Sequence, residues 1–195
     1  MKFISPTWDE ILVKSIEMAE RIRKTESFRF DCIVGVSRGG LALARIMSDL
    51  LDVQDIMIVR CEYYSDIDKK KERPVITQKI QGTIRGRNVL VVDDVSDSGE
   101  SLLLIKKYLH SKSPKNLKVA ATFVKPWSKL MPDYFTGSTE SWIIFPWEYY
   151  EAIKSLSTSN GEHVMLKTHI PTKYVQMLYQ MDDTLQKRWT HRRAI

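Results

Sequence analysis

The stretch Val89-Leu90-Val91-Val92-Asp93-Asp94-Val95-Ser96-Asp97-Ser98-Gly99-Glu100-Ser101 decides how this chain folds. Four consecutive aliphatic residues read as a strand buried on both faces, the kind found inside a parallel sheet. The strand delivers two adjacent carboxylates to the sheet edge. A turn rich in Ser and Gly follows, and Leu102 to Leu109 then reads as a helix. Such a turn gathers backbone N–H groups, hydroxyls and a helix N-terminus, which together suit a phosphate. The two carboxylates beside it can accept hydrogen bonds from vicinal sugar hydroxyls, or face a magnesium ion through water. The implied ligand is a sugar phosphate with a free diol. An acidic strand end with Asp97 or Ser98 capping the next helix explains single residues, but not the whole string.

Working outward, Cys32 to Val36 reads as a second buried strand that ends in the tight loop Ser37-Arg38-Gly39-Gly40. Leu41 to Leu51 reads as a helix, Ile56 to Arg60 and Val119 to Val124 as strands, and residues 126–141 as irregular. Trp142 to Phe145 reads as a short strand, followed by a helix from about Trp147. At the N-terminus Trp8, Ile11, Leu12, Ile16, Ala19 and Ile22 fall at helical spacing. Ser5-Pro6 offers one start for that helix and a Thr7–Glu10 capping box another. Residues 62–79 are polar and carry Pro74, which suits an excursion or hairpin arm outside the core. Strands alternating with helices predict an α/β fold, a doubly wound, mostly parallel sheet covered on both faces. Ligands in such sheets sit at the carboxyl ends of the strands. Residues 156–195 form an expected C-terminal helical extension, with Tyr174, Met177, Leu178, Met181 and Leu185 on one stripe. The expected division is therefore 1–155 and 156–195.

Composition narrows the field less. The 195 residues carry 30 Lys and Arg against 24 Asp and Glu, and a charge of +6 suits acidic partners without choosing among them. No apolar run approaches the roughly 20 residues that span a bilayer. The first residues lack the apolar stretch of a secretory signal, so a cytoplasmic location is expected. Two cysteines, Cys32 and Cys61, make neither a disulfide framework nor a zinc site, and both read as small buried apolar residues. His110, His163, His169 and His191 show no ligand spacing. Basic residues cluster only at Lys69–Lys71 and from Lys187 to Arg193, and no nucleic-acid-binding signature is present, so nucleic acid is not an expected partner.

The 89–101 string resembles the phosphoribosyl-pyrophosphate motif of the type I phosphoribosyltransferases: aliphatics, Asp93-Asp94, two residues, then Asp97-Ser98-Gly99-x-Ser101. Serine stands at 98 and 101 where threonine is common, and the hydroxyl is kept. The resemblance implies that Asp93 and Asp94 hold the ribose 2′ and 3′ hydroxyls and that Asp97, Ser98, Gly99, Glu100 and Ser101 form the 5′-phosphate loop. Glu100 occupies a variable position, its charge expected to point away from the phosphate. In the purine branch the residue at Asp97 also exchanges a proton with the imidazole ring of the base, the expected catalytic role. Ser37, Arg38 and Gly39, about 55 residues upstream, resemble the pyrophosphate loop. Glycine lets backbone approach an anion and Arg38 offers a forked cation. In related enzymes a peptide here is cis, expected between Ser37 and Arg38.

Lys125-Pro126-Trp127, with Trp142-Ile143-Ile144-Phe145-Pro146-Trp147-Glu148, resembles the 6-oxopurine branch, especially bacterial xanthine-guanine members. The resemblance implies that Lys125 donates to the 6-oxo group, Trp142 stacks on the ring and the Ile143 carbonyl meets the base. Glu148, in place of the usual Asp, implies a magnesium ligand together with Asp93, partly through water. Each has an ordinary alternative: a solvent-facing lysine, a core tryptophan, a first-turn acid. Residues 62–79 occupy the position of a flexible hood, with Tyr63, Tyr64, Ser65 and Lys69–Lys71 as contacts and Arg60 as a further pyrophosphate ligand. The expected function is synthesis of a purine nucleoside 5′-monophosphate from a 6-oxopurine and magnesium-bound phosphoribosyl pyrophosphate, by a homodimer or higher homo-oligomer. The alternative is a nucleic-acid-binding regulator that senses the sugar phosphate.

Overall fold

The computed structural model describes residues 2–64, 73–158 and 168–182. They group into two compact units, one of residues 11–139 and a smaller one that joins residues 2–10 to those from 140 onward. The expected boundary at 155 falls inside helix α4 (Tyr149–Thr158), so the described part of the tail groups with residues on both sides of that boundary.

The larger unit is built on six strands: β2 (Cys32–Ser37), β3 (Ile56–Tyr64), β4 (Arg73–Gln78), β5 (Asn88–Ser96), β6 (Asn116–Val124) and β7 (Tyr134–Ser138). Their order is β4-β3-β2-β5-β6-β7, with only β4 antiparallel to its neighbour. Alternation along the strands sends their side chains to two cores. Val34, Val59, Val89, Val91 and Val119 pack with Leu102, Ile105 and Leu109 of α3 (Glu100–His110). Ile33, Leu90, Val92 and Ala120 pack with α1 (Trp8–Thr25) and α2 (Gly40–Leu51) through Met18, Ile22, Leu43 and Met47. This is the expected doubly wound sheet. Among the described residues no helix is long and apolar enough to cross a membrane.

The capping box opens α1: the Thr7 N–H donates to Glu10 Oε2 at 2.7 Å and the Glu10 N–H to Thr7 Oγ1 at 3.2 Å. The inward face of α1 differs from the expected one. Ile11, Ser15, Met18, Ala19 and Ile22 are buried, while Trp8, Leu12 and Ile16 are exposed. Ser15 holds an inward place because its hydroxyl donates to the Ile11 carbonyl at 2.7 Å, which satisfies it without water. Cys32 is a buried core residue whose thiol burial pushes up to about 11, whereas Cys61 is only half-buried.

Two further differences concern strands. Residues 126–141, expected to be irregular, contain β7. It completes the sheet beside β6, and the Phe123 ring lies so close to Gly137 that a Cβ there would stand 2.5 Å from it. Strand β5 runs four residues past Val92, so Asp93 and Asp94 lie within the strand, because β6 continues to pair with it as far as Ser96↔Val124. The 62–79 segment starts and ends as a hairpin, Tyr63 opposite Pro74 and Tyr64 opposite Arg73. Pro74 is tolerated there because β4 is an edge strand. Ser65 and Lys69–Lys71 lie outside the described residues.

In the smaller unit β1 (Phe3–Ile4) pairs in parallel with β8 (Trp142–Ile143), and a 3-10 turn (Pro146–Glu148) leads into α4. Helix α5 (Thr172–Met181) packs on a cluster of Ile144, Tyr149, Ile153 and Ile170 through Tyr174, Val175, Leu178 and Tyr179. Met177 and Met181, expected on the packed stripe, are exposed, and Leu185 lies outside the described residues, as do Lys187 to Arg193.

The central strand gives a direct check. Leu90 is fully buried against α1 and α2. Leu90→Ala is expected to lower unfolding free energy by about 2–5 kcal/mol in urea titrations followed by circular dichroism.

Candidate active site

Strands β2 and β5 are paired only from Cys32↔Val89 to Gly35↔Val92. Beyond that point β2 stays with β3, to Ser37↔Arg60, while β5 stays with β6. The strand order turns around here, and carboxyl ends that part company leave a crevice between them. The loop leaving β2 carries a cis peptide between Ser37 and Arg38, where it is expected. It then passes against β5 at a distance only glycine allows. A Cβ on Gly39 would overlap the Asp94 carboxylate, and one on Gly40 would lie 2.5 Å from the Val92 carbonyl oxygen and 2.8 Å from Asp93 Cα. Asp93 and Asp94 are thus brought together with Gly39 and Gly40, and Arg38 stands exposed beside them. Asp94 is buried, Asp93 half-buried, and the Asp94 N–H donates to Asp93 Oδ1 at 3.0 Å.

The turn after β5 is held from two sides. Gly99 has φ +77°, a conformation that favours glycine, and a Cβ there would stand 2.5 Å from the Leu130 amide nitrogen and 2.6 Å from Ser128 Oγ. Ser96 Oγ bonds Ser128 Oγ at 2.8 Å and donates to the Leu130 carbonyl at 2.9 Å. The Lys125 N–H donates to the Ser96 carbonyl and the Lys129 N–H to the Ser98 carbonyl, both at 3.0 Å. Residues 125–130 thereby brace residues 96–99. Ser98 Oγ accepts the Glu100 N–H at 3.3 Å and lies 2.9 Å from the Tyr63 hydroxyl. Ser101 meets the Cys61 thiol. Tyr63, Asp93, Asp97, Ser98, Gly99 and Ser101 line a hollow of about 130 Å³. A larger hollow of about 420 Å³, by Arg23, Phe28 and Phe30, lies at the amino ends of the strands, among none of these groups. The Glu100 carboxylate is taken by Lys129 Nζ at 2.5 Å.

Lys125 stands at the end of β6 and is buried, with 5% of its surface exposed, which excludes a solvent-facing role. Burial pushes its ammonium below the usual lysine range, and the neighbouring Asp97 pulls in the opposite direction. Its Nζ lies 5.7 Å from the centre of the Trp127 ring, and the Trp127 Nε1–H donates to Asp97 Oδ1 at 3.2 Å. Arg60, considered for the pyrophosphate, bonds Glu62 at 2.6 Å.

In the smaller unit Trp142 is 55% exposed, so it is not a core residue, while Ile143 is buried. With Phe3, Glu148 and Glu151 they line a hollow of about 390 Å³. Lys125 and Asp93 thus belong to the larger unit, and Trp142, Ile143 and Glu148 to the smaller. Among the described residues no three His, Cys, Asp or Glu side chains gather to hold a metal ion by themselves.

Ser128 and Lys129 as braces and Trp127 as a partner of Asp97 escape sequence reading, while Tyr63, expected as a hood contact, bonds Ser98. Of the three that escaped, only Trp127 left a signal, an aromatic residue two positions past a strand-end lysine. Gly99→Ala tests the brace. It forces a left-handed backbone on alanine and drives Cβ into residues 128–130, so a loss of at least about 1–2 kcal/mol is expected in thermal melts.

Residues 7–154 match the family model described as phosphoribosyl transferase domain. The xanthine-guanine phosphoribosyltransferase of Idiomarina loihiensis is 30% identical over 146 residues, which is 74% of this chain and 86% of that protein. Among solved structures, the purine phosphoribosyltransferase of Pyrococcus horikoshii is 34% identical with a TM-score of 0.67, over 75% of this chain and 95% of the other. The xanthine-guanine-hypoxanthine phosphoribosyltransferase of Helicobacter pylori gives 25% and 0.66, over 78% and 99%. The paired loops at the strand ends and these likenesses agree: the chain belongs to the phosphoribosyl transferase family.

Proposed function

We propose that this chain transfers the phosphoribosyl group of phosphoribosyl pyrophosphate to a 6-oxopurine, as in purine salvage, releasing pyrophosphate and a purine nucleoside 5′-monophosphate. The observation that carries the reading is a buried lysine, Lys125, beside the Asp97 carboxylate. An ammonium has donors only, so it suits a 6-oxo group and not the 6-amino group of adenine. The relatives' names, xanthine-guanine and xanthine-guanine-hypoxanthine phosphoribosyltransferase, point the same way.

In this reading the bond from the sugar's anomeric carbon to pyrophosphate breaks, a bond from that carbon to a purine ring nitrogen forms, and the imidazole-ring proton passes to Asp97. Asp93 and Asp94 accept from the ribose diol. Ser98, Gly99 and Ser101, with the N-terminus of α3, bind the 5′-phosphate, and Glu100 stays on Lys129. Ser37, Arg38 and Gly39 hold the leaving pyrophosphate, where a guanidinium stabilises developing charge. Trp142 and the Ile143 carbonyl are proposed to meet the base. Magnesium, when bound, supplies positive charge to the leaving group. As a hard cation it takes one or two carboxylates and completes its shell with water and substrate oxygens. Asp93, half-buried at the hollow, is the donor of the larger unit that suits it, and Glu148 is that of the smaller. The same reading carries a cytoplasmic location and a homodimer or larger assembly, which sedimentation would test.

The deciding assay mixes the protein with magnesium, phosphoribosyl pyrophosphate and each base in turn. Nucleotide is expected from at least one of hypoxanthine, guanine and xanthine, and only weakly from adenine. No product from any oxopurine overturns the reading. Asp97→Asn is expected to lower kcat by about 10²–10⁴, the span of positioned acid–base catalysis. Lys125→Met is expected to erode preference for oxopurines over adenine by tenfold or more, on the order of what one unmet polar group in a site supplies.

A further inference from the structure

We propose that Trp127 is a positioning residue that holds Lys125 and Asp97 apart and aims both at one edge of the base. The inference rests on the roles given to those two residues above. It deepens that reading by adding a side chain that touches both.

The residues meet in one place. The Trp127 Nε1–H donates to Asp97 Oδ1 at 3.2 Å, and the face of the same indole lies 5.7 Å below the Lys125 ammonium. A cation within about 6 Å of an indole centre is attracted by the ring. The backbone that carries the indole is held in place. It sits in a turn where Pro126 takes the second position and the Ser128 N–H donates back to the Lys125 carbonyl at 3.0 Å. Ser128 and Leu130 are in turn fixed against Ser96 and Gly99.

The chemistry explains the need. The 6-oxygen and the neighbouring imidazole nitrogen share one edge of a 6-oxopurine. Lys125 must donate to the first while Asp97 faces the second. The Asp97 carboxylate attracts the Lys125 ammonium, and an ion pair between them would withdraw both from the base. The indole prevents that by giving each a separate partner: an N–H for the carboxylate, a π face for the ammonium. Neither contact uses up the group it steadies. One N–H donor occupies a single lone pair of the carboxylate, and a contact with a π face takes up none of an ammonium's N–H donors. Trp127 is also 55% exposed, so its size is not demanded by core packing.

The test is a double-mutant cycle in steady-state kinetics. Trp127→Phe removes the N–H and keeps the ring; Trp127→Ala removes both. Trp127→Phe is expected to lower kcat about tenfold, the worth of one hydrogen bond to a charged group, with the KM for phosphoribosyl pyrophosphate within about twofold of the parent. Trp127→Ala should in addition raise the KM for the base about fivefold and narrow the preference for hypoxanthine over adenine. In an Asp97→Asn background Trp127→Phe should cost less than about twofold, since residues acting as a unit are not additive. Where the Asp97→Asn enzyme is too slow, calorimetry of purine nucleoside 5′-monophosphate binding completes the same cycle.

Equal losses in both backgrounds, or a raised KM for the sugar substrate with that for the base unchanged, would show that the indole merely supports its loop and would overturn the inference. If the parent protein makes no nucleotide at all, the proposed function fails instead.

Discussion

The approach of Gly39 and Gly40 to Asp93 and Asp94 is the constraint around which this molecule is organised. Neighbouring parallel strands run less than 5 Å apart. A loop that leaves one of them at its carboxyl end must therefore cross the other or diverge from it. Here β2 and β5 stop pairing at Gly35↔Val92, and the loop from β2 stays within van der Waals reach of β5 because it has no Cβ atoms there. That closeness places exposed Arg38 and backbone N–H groups beside two carboxylates, one of them buried. The backbone that bears a cation and the strand that bears two carboxylates are thereby set side by side by covalent geometry and packing alone. Preorganisation of this kind is what lets charges act without reorganising.

The second loop does a different job. Residues 125–130 come from the far side of β5, at the end of β6, and reach the turn at 96–99 through main-chain bonds, the Ser96–Ser128 pair and the seat of Gly99. A turn rich in serine and glycine has little intrinsic preference for one shape. Its neighbours supply the rest. The same brace carries Lys125 and Trp127, so these two side chains and the turn at 96–99 share one support. Tyr63 reaches Ser98 from the base of the β3–β4 hairpin, which gives that turn a further partner.

Charge distribution follows the same division. Glu100 sits in the first turn of α3, where a carboxylate is favourable, yet beside a turn suited to an anion. Lys129 resolves the conflict by taking that carboxylate. The pair is largely open to water, so it adds little to stability, and its effect is on local charge. Lys125 is the opposite case, a buried ammonium whose proton affinity is lowered by desolvation and restored in part by Asp97.

Order along the chain determined much of this by itself. Runs such as Val89–Val92 and Cys32–Val36 are too apolar to lie anywhere but inside a two-faced sheet, and the residues that end them must then stand at its carboxyl edge. That logic delivered Asp93, Asp94, Asp97, Ser98, Gly99, Arg38 and Lys125 to one end of the larger unit. Tertiary structure decided what depends on partners distant in sequence. Strand β7 exists because β6 offers it a free edge and Phe123 covers Gly137. Ser15, not Ile16, faces inward on α1, because a hydroxyl bonded within its own helix is buried at little cost. Met177 yields its place to Tyr179 because α5 turns another face to α4. The bond from Trp127 to Asp97 joins residues 30 positions apart, and no local pattern encodes it. Periodicity and motif report a residue's own chemistry; which neighbour satisfies it is fixed only when strands and loops meet in space.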